Sequence, residues 1–410
     1  MYETTTIRDK FHDALVEWQK AQFPECELLV KNWDKHFKGI RPFTLEAKVA
    51  TDISTVIDVG RFAGQDRFES ADAMDDDVFH KALAIIKAQC STELGSVQQH
   101  RMSLEQYSND KAQYSIMRIM AEELRHAYQM LWVLDQDKTW NRGGQDVAKD
   151  MIEELLAMQH GQHVLDAFNV DFDSFLDNVV FAAIIDMVGK YQLDMQRSFS
   201  YAPMARSMGP MYMEEGFHLG AGKRHTTEIA VAAALGEGDH SLDDVQRAFN
   251  KWLPRGLEMF GDERGGQTNL SYGFKTMANG EAQGLYYNEV CELIRDINAR
   301  VARAYNPDKS IPECRELVDT IMAEGSDSDG VRYEDLIKPP ARGFFRWRGP
   351  EAVAMRPIDT DGNLLTHDGQ PFDHERYVAY LRTVLPDPFF ASEPFARFTK
   401  GFVHHAQATH

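Results

Sequence analysis

Apolar residues recur every three or four positions from residue 78 to residue 235, a segment in which proline and glycine are sparse. This period places apolar side chains along one face of an α-helix, whereas a half-buried strand would show strict alternation. Asp110 and Ser174 are suited to begin helices, and Gly143-Gly144 is suited to interrupt one. The pattern predicts long helices at about 78–105, 109–136, 147–168, 174–200 and 204–235. We therefore expect a mainly α protein built on a helix bundle.

The segments on either side of this bundle are less regular. Residues 8–32 are compatible with helices, residues 236–243 form a polar, glycine-containing loop, and shorter helices are predicted at about 244–260 and 281–304. From residue 325 the chain is richer in glycine, proline and aspartate, which favours turns. The predicted divisions are an N-terminal helical extension (1–70), the bundle (71–235), additional helices packed on the bundle (236–324) and an irregular C-terminal cap (325–410).

Composition narrows the classes of partner. The chain has 410 residues, 43% of them hydrophobic, which is enough for a large core. Its net charge of -20 argues against a nucleic-acid binder and against an anionic membrane surface as partner. It contains no run of 18 apolar residues, and its start lacks the pattern of a signal peptide. The four cysteines are scattered, as is typical of reduced thiols, so we expect a cytoplasmic protein.

Two of the predicted helices carry the same doubled motif. The segments are Glu122-Glu123-Leu124-Arg125-His126 and Glu214-Glu215-Gly216-Phe217-His218. In each motif the second glutamate and the histidine stand three residues apart, and therefore on one face of the helix. Two helices with Glu-x-x-His, together with two helices that each supply one carboxylate, form the dinuclear iron or manganese site of helix bundles.

The two further carboxylates are expected on the preceding helices. Glu93 precedes Glu123 by nearly the same number of residues as Asp186 precedes Glu215. Both are single acids within stripes of apolar or small residues, where an unpaired carboxylate would be costly to bury. The matched offsets predict two antiparallel helix pairs related by a pseudo-twofold axis. The alternative is that these buried polar groups pair among themselves, against which their periodic placement argues.

Not every glutamate or Glu-x-x-His is expected to contribute. A single Glu-x-x-His is a weak signal, and the third one, Glu237-Gly-Asp-His240, lies in a loop between glycines without an apolar face. Glu122 and Glu214 point about 100° away from their neighbours on an ideal helix and are not expected to be ligands. Arg125 and Lys190 either hold carboxylates behind the ligands or are ordinary surface charges.

The order of these residues resembles that of a known family. The ferritin-like di-iron oxygenase components that epoxidise aromatic acyl-CoA thioesters, of the benzoyl-CoA and phenylacetyl-CoA type, share the spacing and the aspartate on the fourth helix. The resemblance covers residues from about 80 to 235. It implies a ferritin-like bundle and two iron ions, with manganese as the alternative metal, because carboxylate and imidazole ligands suit both. The implied catalytic and metal-binding residues are Glu93, Glu123, His126, Asp186, Glu215 and His218.

The same resemblance implies an activity. One atom of O₂ would be inserted into the aromatic ring of an acyl-CoA thioester, with electrons from a separate NADPH-dependent reductase that carries flavin or iron–sulfur centres. The long tail favours a benzoyl-CoA-like substrate, and phenylacetyl-CoA or another aromatic or secondary-metabolite substrate is the alternative. The sequence has no Rossmann fingerprint, so the nicotinamide is expected on the partner. The oligomeric state stays open.

A CoA ester would require cations for its phosphates. The candidate clusters are Lys223-Arg224 and the alternating basic and aromatic residues Arg342, Phe344, Phe345, Arg346, Trp347 and Arg348. Each cluster is also explained as a solvated or partner-facing patch.

Three other functions use the same residues differently. A ferritin-like protein that stores iron or removes peroxide would need only the bare bundle, whereas this chain has long segments on both sides of it. A radical-generating subunit similar to the small subunit of ribonucleotide reductase would use Tyr128, Tyr191 or Tyr212. A non-enzymatic helical scaffold would bind no stoichiometric metal.

Overall fold

The computed structural model describes residues 1–106, 109–261, 263–339, 370–371 and 373–384. Helices dominate these residues, which confirms the predicted mainly α class. Before and within the bundle, the helices are α1 (Asp9–Gln22), α2 (Cys26–Lys31), α3 (Trp33–His36), α4 (Asp76–Ser103), α5 (Asp110–Asp135), α6 (Val147–Ala157), α7 (Phe175–Gln196) and α8 (Ala202–Ala234). After it follow α9 (Leu242–Met259), α10 (Glu263–Ser271), α11 (Asn279–Tyr305), α12 (Ile311–Glu324) and α13 (His374–Val384).

The four longest helices of the predicted bundle segment are α4, α5, α7 and α8, and local signals set several of their ends. The Asn109 side chain caps α5 by accepting from the backbone N–H of Ala112, and Ser174 begins α7 with a capping box to Asp177. The helix predicted at 147–168 ends at Ala157 instead. The backbone turns extended at the next residue, and Gly161 then adopts a positive φ that no helix accommodates.

A small antiparallel sheet lies outside the bundle helices. Strand β1 (Tyr2–Thr5) pairs with β2 (Ala47–Ala50), and Tyr2 lies opposite Ala50. The backbone N–H of Lys48 on β2 donates to Oε1 of Gln129 on α5 at 2.7 Å. This hydrogen bond attaches the sheet to the bundle. The first 70 residues, predicted to be a helical extension, therefore contain strands as well as helices.

The chain divides into two compact units. The first comprises Met1–Gly222 and Gly261–Ala282 and contains the sheet and the predicted metal ligands. The second comprises Lys223–Phe260 and Gln283–His410, and its described part has its own core of Ala299, Ala302, Cys314, Val318, Ile321, Val331 and Leu336. Within it, the Asn298 side chain exchanges two 2.8 Å hydrogen bonds with the backbone of Ile337. The functional division into four segments stays a prediction.

The structure also bears on the expectations about the cysteine thiols and about membrane-spanning helices. The four cysteines are all free thiols, and three of them are buried. Within the described residues, no helix combines the length and the apolar character that a membrane span requires. The basic and aromatic residues between Arg342 and Arg348 lie outside the described part of the chain.

Candidate metal centre

The bundle brings the six predicted ligand residues together in its interior. Helix α4 contributes Glu93, α7 contributes Asp186, and the two Glu-x-x-His motifs come from α5 and α8. The exposed fraction of these residues is 9% for Glu93, 5% for Asp186, 4% for each motif glutamate and zero for each histidine. We call the six residues the central cluster: Glu93, Glu123, His126, Asp186, Glu215 and His218.

One half of the central cluster surrounds His126. Its Nδ1 atom lies 3.5 Å from Oε2 of Glu93 and 3.6 Å from Oε2 of Glu123. Oε1 of Glu215, which comes from the opposite helix pair, lies 3.9 Å away. Nitrogen and oxygen atoms from three helices therefore converge on one point.

The other half surrounds His218 in the same manner. Its Nδ1 atom lies 3.6 Å from Oδ2 of Asp186, 3.4 Å from Oε2 of Glu215 and 3.6 Å from Oε1 of Glu123. Glu123 and Glu215 thus each direct one carboxylate oxygen to each histidine. The surroundings of the two histidines are therefore alike, and two carboxylates lie between them.

Several atoms of the central cluster lack hydrogen-bond partners. Among the described residues, Nδ1 of both histidines, Oδ2 of Asp186 and Oε2 of Glu215 are buried without one. Burying such atoms unpaired costs about 1–3 kcal/mol each. Two sets of potential ligand atoms, Glu93-Glu123-His126 and Glu123-Glu215-His218, each lie within 4.8 Å of one another. The residues present therefore fit two metal ions that take nitrogen and oxygen ligands.

The acids of the central cluster resist ionisation in the absence of metal. Burial and the neighbouring Glu93 raise the pKa of Glu123 to about 7. Burial, together with repulsion from Glu123 and Glu215, raises the pKa of Asp186 well above its usual range, and burial also raises the pKa of Glu215. Bound cations would relieve this repulsion, because their positive charge favours the ionised carboxylates.

The burial of these acids and the repulsion between them predict an effect on the stability of the metal-free protein. Since the pKa of Glu123 is raised from 4.5 to about 7 on folding, its ionisation destabilises the fold progressively across that range. We expect Glu123→Gln to raise the free energy of unfolding of the metal-free protein at pH 8 by about 2–3 kcal/mol. The difference in the free energy of unfolding should vanish near pH 4, where the side chain at position 123 is largely neutral in both proteins, whether folded or unfolded. Urea titrations at the two pH values measure it, and an equal effect at both would contradict the prediction.

Each histidine is held from behind by a carboxylate of the opposite motif. Nε2 of His126 lies 2.9 Å from Oε2 of Glu214, and Nε2 of His218 lies 3.1 Å from Oε2 of Glu122. With a metal bound at Nδ1, these hydrogen bonds would hold the remaining ring proton on Nε2. Without metal, burial opposes protonation of the two imidazoles, but the surrounding carboxylates raise the pKa of both well above its usual range. We call Glu122 and Glu214 the outer carboxylates.

The outer carboxylates, which their direction on the helix predicted not to be ligands, bond instead to the histidines, a contact that was not predicted from the sequence. The doubled Glu-Glu in both motifs was the available signal, since the first glutamate of each motif reaches the histidine of the other. This crossing between helices is a tertiary contact that spacing within one helix does not reveal.

Buried cations in turn hold the outer carboxylates. Nε of Arg125 donates to Oε2 of Glu214 at 2.8 Å, and Lys48 donates to Oε1 of the same residue. Burial opposes ionisation of Glu214, but Arg125, His126 and Lys48 together hold its pKa well below its usual range. Arg125 therefore binds an outer carboxylate, one of the two alternatives for that residue.

The other outer carboxylate has a different partner. Nε of Arg118, one helical turn before Glu122, donates to its Oε1 at 2.9 Å. The Arg118 guanidinium also lies 3.7 Å from the centroid of the Phe217 ring. No motif in the sequence pointed to Arg118 or Lys48. The remaining candidate, Lys190, lies with its Nζ 5.2 Å from the Tyr191 ring centroid.

A cavity of about 970 Å³ lies on the side of the outer carboxylates. Both outer carboxylates, both arginines and Lys48 line it. Four of its lining residues are exposed apolar side chains: Met1, Tyr2, Ile40 and Met213. The cavity therefore approaches the central cluster from behind the histidines. Glu237 of the third Glu-x-x-His is exposed, and the central cluster does not include it.

The chain is similar to proteins of aromatic degradation. Residues 108–308 match the protein family described as "Phenylacetic acid catabolic protein", a range that contains both motifs and Asp186 but not Glu93. The chain is also 29% identical, over 145 residues, to "Benzoyl-CoA oxygenase component B" of Aromatoleum evansii. That match covers 34% of this chain and 29% of the relative, so less than a third of the relative is aligned. Together these matches confirm the resemblance to ferritin-like aromatic acyl-CoA oxygenase components.

Proposed function

We propose that this protein is the di-iron oxygenase component of an enzyme that inserts one atom of O₂ into the aromatic ring of an acyl-CoA thioester. The observation that carries the proposal is the central cluster, in which two carboxylates each face both buried histidines. The similarity to a benzoyl-CoA oxygenase component favours a benzoyl-CoA-like substrate. Phenylacetyl-CoA is the alternative, supported by the family match.

In this proposal Glu93 and His126 would hold one iron, and Asp186 and His218 would hold the other. Glu123 and Glu215, each of which faces both histidines, would contribute to both positions. Manganese is the alternative metal, because the same ligand types accept it.

Bound iron would supply the reduction of O₂, which side chains alone do not perform. The chain itself orients both imidazoles through the outer carboxylates and excludes bulk water. Ile119 and Met211, one turn before Glu123 and Glu215, are fully buried. Such enclosure protects the reaction from side reactions with water.

Ring epoxidation consumes O₂, two electrons and two protons, and yields the epoxide and one water. The sequence contains no Rossmann fingerprint, so we propose that a separate NADPH-dependent reductase delivers the electrons. The name of the relative, which designates one component of an oxygenase, supports such a partner.

The residues that bind CoA stay a prediction. Nζ of Lys223 pairs with Oε1 of Glu289 at 3.2 Å, so its charge is partly compensated within the second unit. The second predicted cluster, around Trp347, lies outside the described residues.

A single-turnover experiment tests the activity without the reductase. Iron-loaded protein is reduced with dithionite, freed of excess reductant and exposed to ¹⁸O₂ in the presence of benzoyl-CoA or phenylacetyl-CoA. We expect mass spectrometry to show one ¹⁸O atom in the ring of the preferred thioester, and none with iron-free protein. Consumption of O₂ by the loaded protein without oxygenation of either thioester would contradict the proposal and favour a ferritin-like role.

A further inference from the structure

The two halves of the central cluster differ in the charge that stands behind their histidines. We propose that the two metal positions are therefore unequal in affinity, and that Lys48, from a strand outside the bundle, makes them so. The position beside His218 binds its metal more tightly than the position beside His126. This inference rests on the metal centre of the proposed function.

On the side of His126, one carboxylate faces two cations. Glu214 accepts from the Arg125 guanidinium through both of its oxygens, at 2.8 and 3.1 Å from Nε, and from the Lys48 ammonium. The side chains are exposed by only 1% for Arg125, 12% for Glu214 and 21% for Lys48. The formal charge of this group is one positive unit.

On the side of His218, one carboxylate faces one cation. Glu122 accepts from Nε of Arg118, and in the part of the chain that is described no second cation bonds to it. The side chains are exposed by 9% and 12%, so this pair is as enclosed as its counterpart. The formal charge of this group is zero.

The difference acts on the metal through the imidazole. A carboxylate that accepts the Nε2 proton of a histidine increases the basicity of the ligating nitrogen. Cations bonded to that carboxylate draw its charge away and weaken this effect. The additional positive charge on the side of His126 also repels a metal cation directly, because the Arg125 and Glu214 side chains are mostly buried and solvent screens their charges only in part. Both effects weaken metal binding beside His126.

The position of Lys48 is set by the fold and not by the bundle alone. Its backbone N–H is bonded to Gln129 of α5 at 2.7 Å, and its strand is paired with β1. The Gln129 side chain also accepts from NH1 of Arg125 at 3.2 Å. The strand therefore places Lys48 beside the same group that holds His126.

Titration of metal-free protein with Mn²⁺, followed by calorimetry under argon, tests the inference. We expect the unchanged protein to show two binding steps whose dissociation constants differ at least about tenfold. Lys48→Met should bring the two steps together by tightening the weaker one, whereas Lys48→Arg, which keeps the charge, should preserve the gap. Lys48→Gln provides a second neutral variant in case methionine impairs folding, which circular dichroism reports.

Arg41→Met is the matched control, because Arg41 lines the same cavity but pairs with Glu46 at 3.1 Å and is 62% exposed. It should leave both steps unchanged. His218→Ala should remove the tighter step, and His126→Ala the weaker one. Two equal steps in the unchanged protein, or an unaltered gap in the folded neutral variants, would overturn the inference and leave the metal centre intact. Failure of the unchanged protein to take up any metal would instead refute the proposed function.

Discussion

Glu123→Ala and Glu215→Ala proteins, purified from iron-replete cells, are expected to hold less than about half an equivalent of iron per chain, against about two in the unchanged protein. Each of these glutamates faces both histidines, so its loss would remove one oxygen from each proposed metal position. Neither position would then retain enough ligands for stable binding. Elemental analysis of the purified proteins measures the effect directly.

The chain contains its own control for this experiment. Glu237→Ala changes the glutamate of the third Glu-x-x-His, which is exposed and outside the central cluster. It should retain about two equivalents of iron. Circular dichroism shows whether the variants remain helical. Full iron content in a folded Glu123→Ala protein would contradict the ligand assignment, and metal-free unchanged protein that also takes up none on reconstitution would leave only the helical scaffold.

Gly222→Ala is expected to lower the free energy of unfolding by about 3 kcal/mol or more. A Cβ atom at this position would lie 2.3 Å from the backbone nitrogen of Ala183 and 2.5 Å from the backbone carbon of Ala182. These are backbone atoms of α7, so the two helices would have to move apart. Denaturation with urea measures the loss.

The same substitution should reduce metal binding, because the crossing lies one turn from His218 on α8 and close to Asp186 on α7. Gly220→Ala is the matched control on the same helix. Its Cβ would meet no atom within 4 Å, and alanine is a better helix former than glycine by about 1 kcal/mol. Gly220→Ala should therefore leave the free energy of unfolding unchanged or raise it. Equal stability of the two variants would show that α7 and α8 do not approach so closely.

Local patterns were sufficient for the long helices and for the candidate ligands. The period of apolar residues and the capping residues act within a few positions along the chain, and the helices they predicted for the bundle are present except where Gly161 helps to end one. The matched offsets of Glu93 and Asp186 carried three-dimensional information because antiparallel helices of similar length meet at similar heights. The structure places all six residues of the central cluster together.

Other parts of the site were not visible in any local pattern. Lys48 is remote in sequence from Glu214, and the contact exists only because a short strand is bonded to α5. Arg118 stands four residues before Glu122, a spacing that allows an ion pair on one helix, but only the packing of α5 against α8 shows that this pair lies behind His218. The strands β1 and β2 are themselves too short to produce a periodic signal.

The sequence by itself determined the helical class, the two Glu-x-x-His motifs and the two lone acids, because period and spacing are properties of a single helix. Only the tertiary structure decided which glutamates face both histidines, which carboxylates stand behind them and how many cations compensate each one. Those features depend on side chains from different helices and from a strand meeting in a buried space, where charges interact strongly over short distances. Spacing within one helix does not specify such contacts between elements.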